Sequence, residues 1–197
     1  MNHEGVIKFN CTWIKEKPLQ SELISDLNSW RDILYSLGLI GLNKDGIGFG
    51  NISKRFNQNQ FIITGSATGK YEKLTNEHYT KVTRYDFDKN TVTAVGPIIA
   101  SSESLSHAAI YEADLDTNSV IHIHHHKLWH RLLKNVPATD SKIEYGTPEM
   151  AGELLRLLRE TDLKEKKILV MAGHEDGIIS FGRNLEEAGK IILDNFK

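Results

Sequence analysis

A single cysteine, Cys11, stands in 197 residues. An internal disulfide is therefore excluded, as is a zinc knot built on cysteines, and so few thiols suit a reducing compartment. No apolar run approaches the ~18 residues that a membrane helix needs. The N-terminus, Met1-Asn2-His3-Glu4, is polar. A membrane span and a standard secretion signal are thus not expected, and a cytoplasmic location is. Neither sign of charge dominates, since 24 lysines and arginines meet 26 acids without a block of either. The expected partner is accordingly a small molecule, with no nucleic acid and no anionic membrane. There is no internal repeat, low-complexity tract or linker, and the length suits one domain, residues 1–197, with a sizeable core. Any metal must be held by histidine and carboxylate.

What the chain does have is Val120-Ile121-His122-Ile123-His124-His125-His126, an apolar run with four histidines set into it. Its β-branched residues predict a buried strand. Alternate residues of a strand share a face roughly 6.6 Å apart, so His122 and His124 can both bring a ring nitrogen within about 2.1 Å of one divalent ion. Lone histidines are more often satisfied core or surface residues, but two alternating on an apolar strand would strand two polar rings in a poor place. His126 keeps the alternation and is a further candidate ligand, whereas His125 points the other way unless the strand has ended. Gly173-His174-Glu175-Asp176-Gly177 lies between two apolar runs, Ile168 to Met171 and Ile178 to Phe181, both expected as strands. His174, in that polar turn, is well placed to complete a metal site.

The remaining elements follow from pattern. Val6 to Phe9 reads as a strand. Leu23, Ile24, Leu27, Trp30, Ile33, Leu34 and Leu37 have helical spacing with one buried face, ending at Gly38. Gly41 to Ser53 holds too many glycines for a helix or a central strand and reads as a loop that lets backbone N–H groups approach a ligand; it matches neither the dinucleotide fingerprint nor the P-loop. Phe61 to Thr64, a strand, runs into a second small-residue loop, Gly65-Ser66-Ala67-Thr68-Gly69, and two such loops suggest an anion pocket. Val82 to Tyr85 and Thr91 to Val95 form a hairpin. Ser101 or Ser102 caps a helix with Glu103 in its first turn, where the acid either favours the helix dipole or does acid–base chemistry. Trp129, Leu132 and Leu133 indicate a short helix, Thr147-Pro148-Glu149 starts another, and Asn184 with Glu187 resembles a capping box for the last.

Gly50-Asn51-Ile52-Ser53, Tyr71-Glu72-Lys73-Leu74-Thr75, Ser101-Ser102-Glu103, Val120-Ile121-His122-Ile123-His124 and Gly182-Arg183-Asn184-Leu185-Glu186-Glu187-Ala188 occur in the order and spacing of the class II aldolase/adducin family. The chain resembles that family over nearly its whole length. The resemblance implies an α/β fold, a three-layer α/β/α sandwich with a largely antiparallel central sheet, and a homotetramer with active sites between subunits. It also implies a divalent metal, usually Zn2+, on His122, His124 and His174, and a catalytic glutamate at Glu103. Asn51, Ser101 and Ser102 match positions that bind a substrate phosphate, and Gly65 and Ser66 belong to the loop where the family places a further phosphate contact.

By that resemblance the protein is an aldolase-like lyase that cleaves or forms a carbon–carbon bond in a small phosphorylated ketose through a metal-stabilised enediolate. A dehydratase or 4-epimerase would use the same metal site. A non-catalytic, adducin-like module is the reading from another class, and the presence here of all three histidines and Glu103 argues against it. The sugar-phosphate aldolases carry a tyrosine lent to a neighbouring subunit, which has no clear match here, and a C-terminal tyrosine that can serve as acid, so the resemblance leaves the proton donor unassigned. Its Tyr145-Gly146-Thr147 segment arrives early, and two acids separate His174 from Gly177.

Overall fold

A computed structural model describes residues 5–197. In chain order the elements are β1 (Asn10–Lys15), α1 (Ser25–Ser36) behind a 3₁₀ turn at Ser21–Leu23, β2 (Gly41–Leu42), β3 (Gly48–Phe49), β4 (Asn51–Asn57), β5 (Gln60–Thr64), β6 (Tyr79–Asp86) and β7 (Thr91–Gly96). There follow α2 (Ser104–Ala113), β8 (Ser119–His124), α3 (His126–Leu132), α4 (Pro148–Glu160), α5 (Leu163–Lys166), β9 (Ile168–Val170), β10 (Gly177–Gly182) and α6 (Leu185–Phe196). Among the described residues no helix is long and apolar enough to cross a membrane.

Eight strands make one sheet in the order β1-β7-β6-β5-β4-β8-β10-β9. The sheet is mixed, which corrects the expectation of a largely antiparallel one: β1 runs parallel to β7 at one edge. The other neighbours are antiparallel. Strand alternation sends side chains to two separate apolar clusters. Phe61, Ile63, Val120 and Phe181 meet Leu105 and Ala108 of α2 and Leu154 and Leu158 of α4. Ile62, Ile121, Ile123 and Ile178 meet Leu27 and Leu34 of α1, Leu128 of α3 and Ile192 of α6. Burying each such side chain stabilises the fold by roughly 1.5–3 kcal/mol, and cutting Ile121 back to alanine would cost about 2–5 kcal/mol.

The caps explain where helices start. Thr147 Oγ1 accepts from Met150 N at 3.2 Å, with Pro148 opening α4. Asn184 Oδ1 accepts from Glu187 N at 2.8 Å to start α6, but the returning carboxylate takes the N–H of Arg183 and not that of Asn184, so only half of the expected capping box forms. Four further expectations are corrected. The first strand runs from Asn10, not Val6, while Phe9 plugs the α2/α4 cluster. The glycine-rich stretch is a loop only in its middle, for Asn51 to Ser53 open β4, a central strand. Glu103 sits at the N-cap position of α2 and not in its first turn. On α1, Ile33 and Leu37 lie outside the buried stripe and are exposed.

Candidate metal centre and active-site pocket

His122 and His124 leave β8 on the same face by strand alternation, while Ile121 and Ile123 turn into the opposite cluster. The turn between β9 and β10 folds back beside them: His174 N donates to Met171 O, Gly177 N donates to His174 O, and Gly177 opens β10 opposite His124. All three histidines are buried. One ring nitrogen of each lies within 4.8 Å of the others, and His124 Nε2 is 3.0 Å from His174 Nε2.

Burial, reinforced by the neighbouring histidines, holds His122 and His174 well below the usual imidazole range. Burial takes His124 down to about 4 against the opposing pull of Asp176. Neutral imidazoles offer lone pairs, and three of them converging without a counter-charge suit a cation. Two orphaned atoms test that fit. His122 Nε2 and Asn51 Oδ1 are buried without a hydrogen-bond partner, while Asn51 Nδ2 lies 3.4 Å from His122 Nδ1. Turning the Asn51 amide over lets Oδ1 accept from Nδ1–H, which leaves His122 Nε2 as a lone-pair donor for an ion and turns Asn51 Nδ2 to the other side. The donor set therefore fits a divalent metal.

Glu103 lies beside this centre, 2% exposed. Its Oε2 accepts from Ser106 Oγ at 2.8 Å, and its Oε1 is buried without a partner. Burial raises its carboxyl to about 7, although the Ser106 bond and the Lys8 ammonium pull the other way. Desolvation thus outweighs the helix-end position, which favours the charged form.

One pocket is lined by Glu103, His122 and His174 together with Asn51, Gly65, Ser101 and Ser102. The space they enclose, about 20 Å³, is enough for a water or an ion. Ser66 is not part of that lining; its backbone N–H is tied to Ile99 O. His124 faces an adjoining groove with His125, His126 and Asp176, and its ring stacks on Phe49 at 5.2 Å between centroids.

His126 is excluded as a third ligand of the buried centre because the strand ends at His124. It opens α3, exposed, with Nδ1 at 2.8 Å from Asp176 Oδ1. His125 caps that helix, its Nδ1 accepting from Leu128 N. Gly48 and Phe49 of the first glycine-rich stretch and Thr68 and Gly69 of the second also line the pocket, and so does Tyr145, to which the sequence assigns no role. Tyr145 lies against the His174 ring at 4.4 Å between centroids, under Lys8 Nζ at 4.0 Å. Its aromatic character beside Gly-Thr was the only signal available for it.

The fold and the site define an α/β protein organised around a buried three-histidine centre with an acid of raised pKa at its side. Residues 39–193 match the model of the class II Aldolase and Adducin N-terminal domain, and the chain belongs to that family. Among solved structures it is similar to L-fuculose 1-phosphate aldolase, at 21% identity over 90% of this chain and 82% of that one, with a TM-score of 0.65. It is also similar to a sugar-phosphate aldolase from Thermotoga maritima (15% identity, 88% and 90% covered, TM-score 0.67). L-fuculose 1-phosphate aldolase from Glaciozyma antarctica PI12 aligns at 16% identity over 89% of this chain and 70% of that one, with a TM-score of 0.61. At such identities the likeness is one of fold. A comparison with curated proteins found no match.

Proposed function

We propose that this protein is a metal-dependent, aldolase-like lyase that cleaves or forms a carbon–carbon bond in a small phosphorylated ketose. The observation that carries the reading is the convergence of His122, His124 and His174 beside the unpartnered Oε1 of Glu103. A divalent ion on the three histidines would supply Lewis acidity at the ketose carbonyl and its neighbouring hydroxyl. Glu103 is the general base. In the condensing direction its Oε1 takes the proton from the carbon beside the carbonyl, and in the cleaving direction the same carboxyl returns it. Ser106 holds Oε2 and so fixes which oxygen faces the substrate. Asn51, Gly65, Ser101 and Ser102 receive the phosphate through amide, hydroxyl and backbone donors, orienting the reacting end by its remote anchor. Ser66 drops out of that set because it lies outside the lining.

The same reading makes zinc the resident ion, the whole chain one three-layer domain, the cytoplasm its compartment and a homotetramer its assembly. Helices on both faces of the sheet support the layers, and family membership supports the rest. Metal analysis of untagged protein, followed by turnover of a panel of phosphorylated ketoses, tests the reading. A bound divalent ion with carbon–carbon cleavage of one panel member is the expected result. Metal-loaded protein that dehydrates or epimerises a panel member without cleaving it, or protein that binds no metal, would overturn it.

A further inference from the structure

We infer that Arg31, on α1 behind the pocket, supplies the positive charge of its anion end and thereby sets the preference for a phosphorylated over an unphosphorylated substrate. The inference rests on the function proposed above. The pocket lining contains no lysine and no arginine among the described residues, and Lys8, over the Tyr145 ring, is paired by Glu144 at 2.9 Å. Arg31 is 1% exposed. Its Nη1 donates to Glu72 O at 2.5 Å, and its Nη2 donates to Tyr71 O and, at 3.4 Å, to Thr68 O and Gly69 O. Its guanidinium lies over the Tyr35 ring at 4.3 Å. No described carboxylate forms an ion pair with it. Asp32, the next residue, is paired by Lys73 at 2.6 Å. A guanidinium remains charged even when buried, and here that charge is met by peptide carbonyl dipoles and the Tyr35 ring, with Asp32 attracting it from further off and no direct ion pair.

Those dipoles lead to the pocket. A trans peptide is planar, so a unit that turns its C=O to Arg31 turns its N–H the opposite way. The Thr68 carbonyl thus directs the N–H of Gly69 away from Arg31, and Thr68 and Gly69 both line the pocket. On that side stands Gly48, also in the lining, where an added Cβ would lie 3.1 Å from Gly69 N. Glycine at 48 is what keeps the approach to this N–H open. Pinning a loop requires only donors, whereas a charge behind the walls of a neutral pocket additionally favours a dianion, and Arg31 provides both.

The test compares wild type, Arg31→Lys and Arg31→Met, all metal-loaded. It measures Kd for inorganic phosphate, and kcat and KM for the phosphorylated ketose and its unphosphorylated parent. Arg31→Met is expected to raise the phosphate Kd and the phosphorylated-substrate KM by about tenfold or more, with kcat and the parent's KM within about twofold. Arg31→Lys, which keeps the charge without the fork, should recover most of that loss. Equal losses for both substrates, or unchanged phosphate affinity in folded Arg31→Met, would overturn the inference. If Arg31→Met does not fold, Arg31→Gln decides, since it keeps two N–H donors for the carbonyls and removes the charge. Weakened phosphate binding with the parent spared supports the proposal, and unchanged phosphate affinity overturns it. Wild type that binds phosphate but turns over no ketose leaves this inference standing and removes the proposed function alone.

Discussion

His124 Nε2 and His174 Nε2 lie 3.0 Å apart with both rings buried. Ligand nitrogens around a tetrahedral zinc at bond lengths of about 2.0–2.1 Å are separated by about 3.3 Å, so a small relaxation converts this contact into two coordination bonds. Replacing His122, His124 or His174 by alanine should abolish metal occupancy, while His125→Ala and His126→Ala should keep it. Elemental analysis of untagged protein checks this. A full complement of metal in His122→Ala would disprove the assignment.

Glu103→Gln preserves shape and removes the base, and turnover is expected to fall ~10²–10⁴-fold while metal content and fold persist. The pH profile gives a second handle. A base works when ionised, so activity should decline as pH falls through the Glu103 pKa, which burial has raised to about 7. The Ser106 hydroxyl favours the ionised form, and Ser106→Ala should therefore move the acidic limb of the kcat profile to higher pH. An unmoved limb would show that another group controls it.

His107 makes a prediction about stability. Its Nδ1 is 2.6 Å from Ser53 Oγ, which is in turn 2.7 Å from the Tyr111 hydroxyl, and its Nε2 is buried without a partner. Burial depresses its pKa to about 3. The folded state therefore keeps it neutral where the unfolded chain takes up a proton near pH 6.5. Stability is full above that pH and is lost as pH falls toward 3, by up to about 1.4 kcal/mol per unit for this group alone. In metal-stripped protein, urea unfolding between pH 5 and 7 should give a slope shallower by one proton in His107→Gln than in wild type. Identical slopes would mean that His107 is protonated in the fold.

Asn184→Ala removes the acceptor for Glu187 N at the start of α6 and should cost about 1 kcal/mol. Chemical denaturation measures it, and a change below about 0.3 kcal/mol would mean that water or Glu187 replaces the cap.

The parts of this fold that declare themselves in the sequence are those whose two faces differ in chemistry. β8 is one, because Ile121 and Ile123 mark one face and the histidines the other. β4 does not, since Asn51 and Ser53 turn polar groups toward the site and α2, leaving Ile52 as the single apolar mark after a run of glycines. β1 pairs only with β7 and is exposed along most of its length, so no alternation selects its register. The converging histidines and Glu103 were legible as motifs. The two glycine-rich loops were legible as pocket walls, but what holds them was not: the carbonyls of Thr68 and Gly69 are bound by the distant Arg31, and a carbonyl partner leaves no trace in residue type.

On the function proposed above, the anchoring groups fall into two sets, Ser101 and Ser102 adjoining Glu103, and Asn51 and Gly65 in earlier stretches of chain. Glu103, His122 and His124 ride on the continuous α2–β8 unit, with His174 delivered by the turn into β10, the neighbour of β8. The walls that would receive the far end of a substrate come largely from residues 48–51 and 65–69. On that function, substitutions at residues 48–51 and 65–69 would redraw how the far end of a substrate is received while leaving the three histidines and Glu103 in place, whereas Ser101 and Ser102 cannot vary without disturbing the backbone that carries Glu103.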